Sequence, residues 1–243
     1  NMTTPLLKLE NVRTYFHTDI GVVKAVDGLN VEVKSGQTLG IVGESGSGKS
    51  ITALSIMRLL PAAIKISDGS VILHTTNLFQ LPENKMRKIR GAKIGMIFQE
   101  PQTSLNPVLT AGQQISETLR QHDNLSKKQC IKRSIELLDA VGIPDAERRI
   151  NEYPHQFSGG MKQRIMIAIA LAGKPDLLIA DEPTTALDVT IQAQVLNLLR
   201  KLQSETGMSI LFITHDIGVA SQMADHIAVM QNGSIVELKT KKE

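Results

Sequence analysis

Eight residues, GESGSGKS from Gly43 to Ser50, carry the spacing Gly-x-x-x-x-Gly-Lys-Ser. Glycines at these positions let a loop wrap a phosphate with its backbone N–H groups turned inward. A lysine at the seventh position reaches the β- and γ-phosphates, and the following serine offers a hydroxyl to Mg²⁺. TLGIV before the loop reads as a strand and ITALSIM after it as a helix, so the helix N-terminus adds a field that favours an anion. Gly43, Glu44, Ser45, Gly46, Ser47, Gly48, Lys49, Ser50 and Ile51 are therefore the candidate nucleotide site. Such a loop alone does not separate a kinase from a GTPase or a transport ATPase.

Two further stretches narrow the chemistry. LLIADEP places Asp181 and Glu182 at the carboxyl end of a buried strand, the edge at which open α/β sheets bind ligands. One carboxylate suits the water shell of Mg²⁺, and its neighbour suits the orientation or deprotonation of an attacking water. FSGGMKQR sits just before the apolar run IMIAIALAG. Ser158 is an ordinary helix cap. Gly159 and Gly160 each cost roughly 1 kcal/mol against alanine inside a helix, so their place in the first turn asks for a ligand that needs bare backbone.

With FSGGMKQR upstream of LLIADEP, the chain resembles the nucleotide-binding domain of ATP-binding-cassette transporters from Leu7 to about Glu237. GMIFQEP ends at Gln99 as the family's Q-loop does, TALD at 185–188 matches its D-loop, and THD places His215 as its switch histidine. Tyr15-Phe16 stands where the adenine-stacking aromatic is found, with Phe16 favoured by spacing. The usual signature LSGGQ is altered by Phe157 and by Met161, which is expected to change a polar contact near the ribose and not to abolish hydrolysis. IFQEPQTSLNP, EYPHQFSGGM and DEPTTALDVTIQAQVL are similar to peptide-importer ATPases, a group that covers dipeptide, oligopeptide, nickel and glutathione uptake.

The resemblance implies ATP and Mg²⁺, with Lys49 on the phosphates, Ser50, Gln99 and Asp181 at the metal, Glu182 as general base and His215 at the γ-phosphate. It implies a second cassette head to tail, whose ATP is met by Ser158, Gly159, Gly160, Met161 and Asp188. It also implies permease subunits as partners, an external solute-binding protein acting indirectly, no nucleic acid, and a place at the cytoplasmic face of a cell membrane. A cassette ATPase of DNA maintenance or translation is the alternative. It is disfavoured because no sustained heptads lie between Gln99 and Ser158, and neither a second cassette nor a charged linker is present.

The elements that must position these groups alternate. LLKLENV and VVKAVDGLNVEV read as strands, ITALSIMRLL as a helix stopped by Pro61, and GSVILH and AKIGMIF as strands. Residues 104–149 read as mostly helical, KPDLLIADEP and MSILFITHD as buried strands, and TIQAQVLNLLRKLQSETG as an amphipathic helix between them. GVASQMADH reads as a helix, and Asn232-Gly233 as the turn of a hairpin between IAVMQ and SIVEL. The expected fold class is α/β, a P-loop NTPase core with a mainly parallel sheet, an N-terminal antiparallel β subdomain and an inserted helical subdomain. The core is expected over about 6–98 and 155–238, and the helical subdomain over about 100–154. The tail LKTKKE closes no domain, and a C-terminal extension or second cassette is expected beyond it.

Composition bounds the rest. With 42% hydrophobic residues the chain of 243 can bury a substantial core, and a net charge of +3 is too mild for a nucleic-acid footprint. Cys130 is the single cysteine, which leaves no disulfide framework and fits a reducing, cytoplasmic setting. No secretory signal is read, and IMIAIALAG is about half the ~20 residues a membrane helix needs.

Overall fold

The computed structural model describes residues 4–100 and 104–241. Residues 101–103 of IFQEPQTSLNP and the last two of LKTKKE lie outside the described residues. The chain divides into two compact units. One takes the described residues within 1–87, 179–182 and 207–243, the other those within 88–178 and 183–206. The second is larger than a helical insertion over 100–154.

The first unit contains an antiparallel sheet of β1 (Leu7–Thr18), β2 (Gly21–Val33), β4 (Ile64–Leu73) and β5 (Thr76–Asn77), in the order β2-β1-β4-β5. Leu7, Leu9 and Val12 of β1 and Val26, Leu29 and Val33 of β2 turn one face of this sheet inward. The second sheet in this unit runs β10-β9-β3-β8-β7, with β3 (Thr38–Val42), β7 (Leu177–Asp181), β8 (Ser209–Thr214), β9 (His226–Gln231) and β10 (Ser234–Thr240). β3 lies parallel to both β8 and β9, while β9 and β10 form an antiparallel hairpin. TLGIV and SILFIT are buried at every residue, as unbroken apolar runs must be in a sheet covered on both faces. At the hairpin turn Asn232 has φ 50 and Gly233 φ 81, the left-handed pair of a type I′ turn.

Two α-helices of this unit adjoin the motifs. α1 (Lys49–Met57) follows the phosphate loop, and α8 (Ile217–Met223) is capped by Asp216, whose Oδ1 accepts from Gly218 N and Val219 N. α1 ends before Pro61 is reached. Arg58 takes φ 54, its backbone N–H closes the helix, and its guanidinium donates to Leu78 O and Leu81 O at 3.1 and 2.6 Å.

α2 (Glu83–Ile89) was not expected from the sequence. In the second unit, β6 (Ile94–Ile97) precedes α3 (Ala111–His122), α4 (Lys127–Ala140), α5 (Ala146–Arg149), α6 (Gly159–Leu171) and α7 (Val189–Thr206). Thr110 with Gln113 and Ser126 with Gln129 form capping boxes that start α3 and α4. Leu119, Leu137 and Leu138 are buried on the facing sides of these two helices. Among the described residues, no helix is long and apolar enough to cross a membrane.

Gly233 ties the hairpin to the phosphate loop. Its N–H donates to Ser47 O at 2.9 Å, and its carbonyl accepts from Asp27 N at 2.8 Å. A Cβ on it would lie 2.8 Å from the carbonyls of Lys24 and Ala25. Gly233→Val is expected to lose at least about 1–2 kcal/mol, a fall in Tm of roughly 2–8 °C, and to weaken nucleotide binding. Thermal melts and nucleotide titration of the purified variant check both.

Candidate active site

The phosphate loop is held from two sides of the first unit. A Cβ on Gly43 would stand 2.5 Å from Met230 O and from Ser47 Oγ, and one on Gly48 would meet Ala25 O. Gly48 has φ 104 and Gly46 φ 81, conformations that L side chains avoid. Glu44, Ser45 and Gly46 form the exposed tip. A groove of about 330 Å³ lies between the loop from Gly43 to Ser47 and the strand end from Val229 to Asn232.

Lys49 is only 5% exposed. Its Nζ donates to Gly43 O at 2.6 Å and Glu44 O at 2.8 Å, with Ser47 Oγ at 3.4 Å. Burial pushes its pKa down, while the carboxylates of Glu182 and Asp181 pull it back up. Asp181, also 5% exposed, ends β7. Burial raises its pKa, a hydrogen bond from Ser50 opposes that rise, Glu182 adds to it and Lys49 counters it. Asp181 Oδ1 is buried and has no hydrogen-bond partner among the described residues.

A buried carboxylate with a free oxygen, next to a serine hydroxyl, fits a hard divalent cation. Among the described residues no group of three or more His, Cys, Asp or Glu gathers to hold a metal.

Glu182 has φ 45, a strained conformation for a side-chain-bearing residue, and its N–H donates to Ile213 O at 2.8 Å. Its side chain is one-tenth exposed, and Oε1 lies 2.9 Å from Nδ1 of the exposed His215. The ends of β7 and β8 thus bring Glu182 and His215 together, a pairing the sequence did not reveal.

The two candidate aromatics face opposite ways. Thr14 Oγ1 meets Ser55 Oγ of α1 at 2.8 Å, and Phe16, two residues on, shares its face of β1. Tyr15 points to the other face, where its hydroxyl donates to Asp27 Oδ1 at 2.9 Å and Lys24 Nζ lies 5.8 Å from its ring. The pairing passes from Thr14↔Val26 to Tyr15↔Lys24, which leaves Ala25 as a bulge whose carbonyl abuts Gly48.

The remaining candidates belong to the second unit. Gln99 is exposed just past β6. Ser158 caps α6 through Met161 N at 3.2 Å, and Asp188 caps α7 through Ile191 N at 2.8 Å. A Cβ on Gly160 would stand 2.8 Å from Ile191 Cγ2, a branch methyl next to the backbone of a stiff side chain, so this glycine is crowded. One on Gly159 would meet nothing closer than Leu187 Cδ2 at 3.9 Å, so packing within the chain does not require that glycine.

The sequence profile of the family described as ABC transporter matches residues 26–185. A protein of Brucella abortus (strain 2308), named for peptide import and ATP binding, is 54% identical over 245 residues, covering 98% of this chain and 72% of that one. The dipeptide transport ATP-binding protein DppD of Bacillus subtilis (strain 168) is 51% identical over 239 residues, 98% of this chain and 71% of its own. Among solved structures, a dimeric post-hydrolysis state of the ATP-binding cassette MJ0796 bound to ADP and Pi superposes with a TM-score of 0.87. Identity to it is 32%, with 98% of this chain and 99% of that chain covered.

The burial of Asp181 gives a signed prediction. Its folded pKa lies above the unfolded value, so the bound proton stabilises the fold fully below the ordinary aspartate range. That stability is lost as pH rises through the raised pKa. Asp181→Asn is expected to raise the Tm of the nucleotide-free protein at neutral pH and to flatten its dependence between mildly acidic and neutral pH. Melting curves across that range, without Mg²⁺, measure it.

Proposed function

The chain belongs to the ABC transporter family, and on that premise we propose that it is the ATP-hydrolysing subunit of an importer for peptides or related small solutes. Relatives named for peptide and dipeptide import, matched over 98% of this chain, support that substrate class. They give no support to a role in DNA maintenance or translation. The observation that carries the catalytic reading is the cluster of buried Lys49, buried Asp181 and the strained Glu182 paired to His215 in one unit.

Lys49 and the loop amides from Gly43 to Ile51 hold the β- and γ-phosphates of ATP, and Phe16 stacks on the adenine. Ser50 and Asp181 would hold Mg²⁺, which would neutralise charge on the phosphates. Glu182 accepts the proton of the attacking water, and its pairing to His215 keeps the carboxylate aimed while His215 meets the γ-phosphate. Phosphoryl transfer needs mostly positioning and charge stabilisation, and these residues supply both.

Gly159 extends the reading to two cassettes. Its bare backbone answers no need inside the chain, so it suits the close approach of a phosphate from outside. Ser158, Gly159, Gly160, Met161 and Asp188 face the ATP of a second cassette, head to tail, as a homodimer or with a paralogue. Permease subunits at the cytoplasmic face of a membrane receive the motion, and an external binding protein delivers the cargo to them.

Glu182→Gln is expected to bind ATP with little change and to hydrolyse it roughly 10²- to 10⁴-fold more slowly, read as phosphate release. Unchanged turnover removes Glu182 from the role of base. Phe16→Ala is expected to raise the Kd for ATP by roughly 5- to 150-fold, the range of one lost base stack, whereas Tyr15→Ala leaves it within about twofold. Equilibrium titration that ranks the two the other way assigns the stack to Tyr15.

A further inference from the structure

Gln163 lies one turn inside α6 and is 0% exposed. Both its amide oxygen and its amide nitrogen lack a hydrogen-bond partner among the described residues. Leaving a buried polar group unsatisfied is costly, and an apolar residue of similar volume would serve this position better if packing were its only task. Its helix neighbours Met166 and Ile167, at the spacings that share a face, are buried apolar residues.

Two close approaches show what that face lies against. A Cβ on Gly173 would strike Gly91 O, and one on Gly95 would strike Ala170 O. Gly173, just past the end of α6, meets the chain just before β6, while Ala170 within α6 meets Gly95 within β6, so the helix and strand run antiparallel and in contact. Gln163 precedes Ala170 by seven residues, roughly 10 Å of helix, which equals about three residues of strand. Counting from Gly95, position 163 of the helix falls level with Phe98 and Gln99, within the same unit.

We propose that Gln163 is a positioning residue that hydrogen-bonds the backbone of the Phe98–Glu100 stretch when nucleotide is bound. It thereby links the helix headed by Ser158 to Gln99. The proposal rests on the reading of Gln99 as a residue that responds to the bound nucleotide. An amide with both a donor and an acceptor can take one backbone carbonyl and one N–H of an extended segment at once. The unmet hydrogen bonds of Gln163 then favour the ordered arrangement of that stretch once it forms.

The test compares the wild-type chain with Gln163→Met, a straight-chain apolar replacement of similar volume. Backbone hydrogen exchange at residues 98–100 is measured with and without ATP, alongside Tm, ATP affinity and kcat. Wild type is expected to show slower exchange there when ATP is bound, and Gln163→Met to lose that protection. The variant is expected to keep or raise its Tm, to bind ATP within about twofold of wild type, and to lose roughly three- to tenfold in kcat, the scale of one net hydrogen bond. Equal protection and equal kcat in the two proteins overturn the proposal. A clear fall in Tm without nucleotide also overturns it, because the amide would then have partners before ATP arrives. Failure of wild type to hydrolyse ATP counts against the catalytic reading alone, since the exchange comparison still reports on Gln163.

Discussion

The site depends on keeping two opposite charges, Lys49 and Asp181, largely out of water beside a loop of bare backbone. Neither charge is comfortable there, since burial lowers the pKa of one and raises that of the other. Their mutual attraction offsets part of the loss, and the loop carbonyls of Gly43 and Glu44 take up the ammonium. On the proposed reading, a polyphosphate with its cation would satisfy both at once, because phosphate oxygens would meet the lysine and the cation would meet the carboxylate. The fold serves that arrangement. Buried strands β3, β7 and β8 are stiff enough to hold the groups in place, and the Asn232-Gly233 turn braces the loop from the side. On that reading, stability surrendered at these residues would be recovered when the ligand binds, a common trade at functional sites.

The signature stretch shows how a local role and a shared one coexist. Within the chain Ser158 is a working helix cap, and Gly160 is crowded by Ile191. Only Gly159 has no local reason. Asp188 likewise caps its own helix. A second cassette's ATP would therefore meet residues whose backbone is already ordered by capping, which lowers the entropy lost on closure. Met161 spends its N–H on the Ser158 cap, and nothing else in the structure explains its side chain.

Much of this was legible in the sequence because the motifs are contiguous. GESGSGKS and LLIADEP each lie at a junction of an apolar strand with a turn, so spacing pointed to Lys49, Asp181 and Glu182, while His215 of THD was singled out by the family resemblance. What stayed hidden depends on contacts between distant residues. α1 stops at Met57, short of Pro61: there Arg58 turns left-handed, closes the helix through backbone bonds and reaches Leu78 and Leu81. β4 begins at Ile64, earlier than GSVILH suggested, because the half-polar IKISD pairs with Phe16 and its neighbours. The choice between Tyr15 and Phe16 is a matter of which face each takes, set by the bulge at Ala25. Gln163 looked like one more polar residue of a capped helix. Only its complete burial without partners singled it out.

The most direct test of the central claim is proton linkage. Mg²⁺–ADP is titrated calorimetrically into wild type and Asp181→Asn at mildly acidic pH, in two buffers of different ionisation heat. A carboxyl whose pKa is raised by burial carries a proton in part of the free protein and must release it when the cation arrives. Wild type should therefore release more protons on binding than Asp181→Asn, and the difference should fade toward neutral pH. The same proton balance in both proteins at every pH would contradict the account.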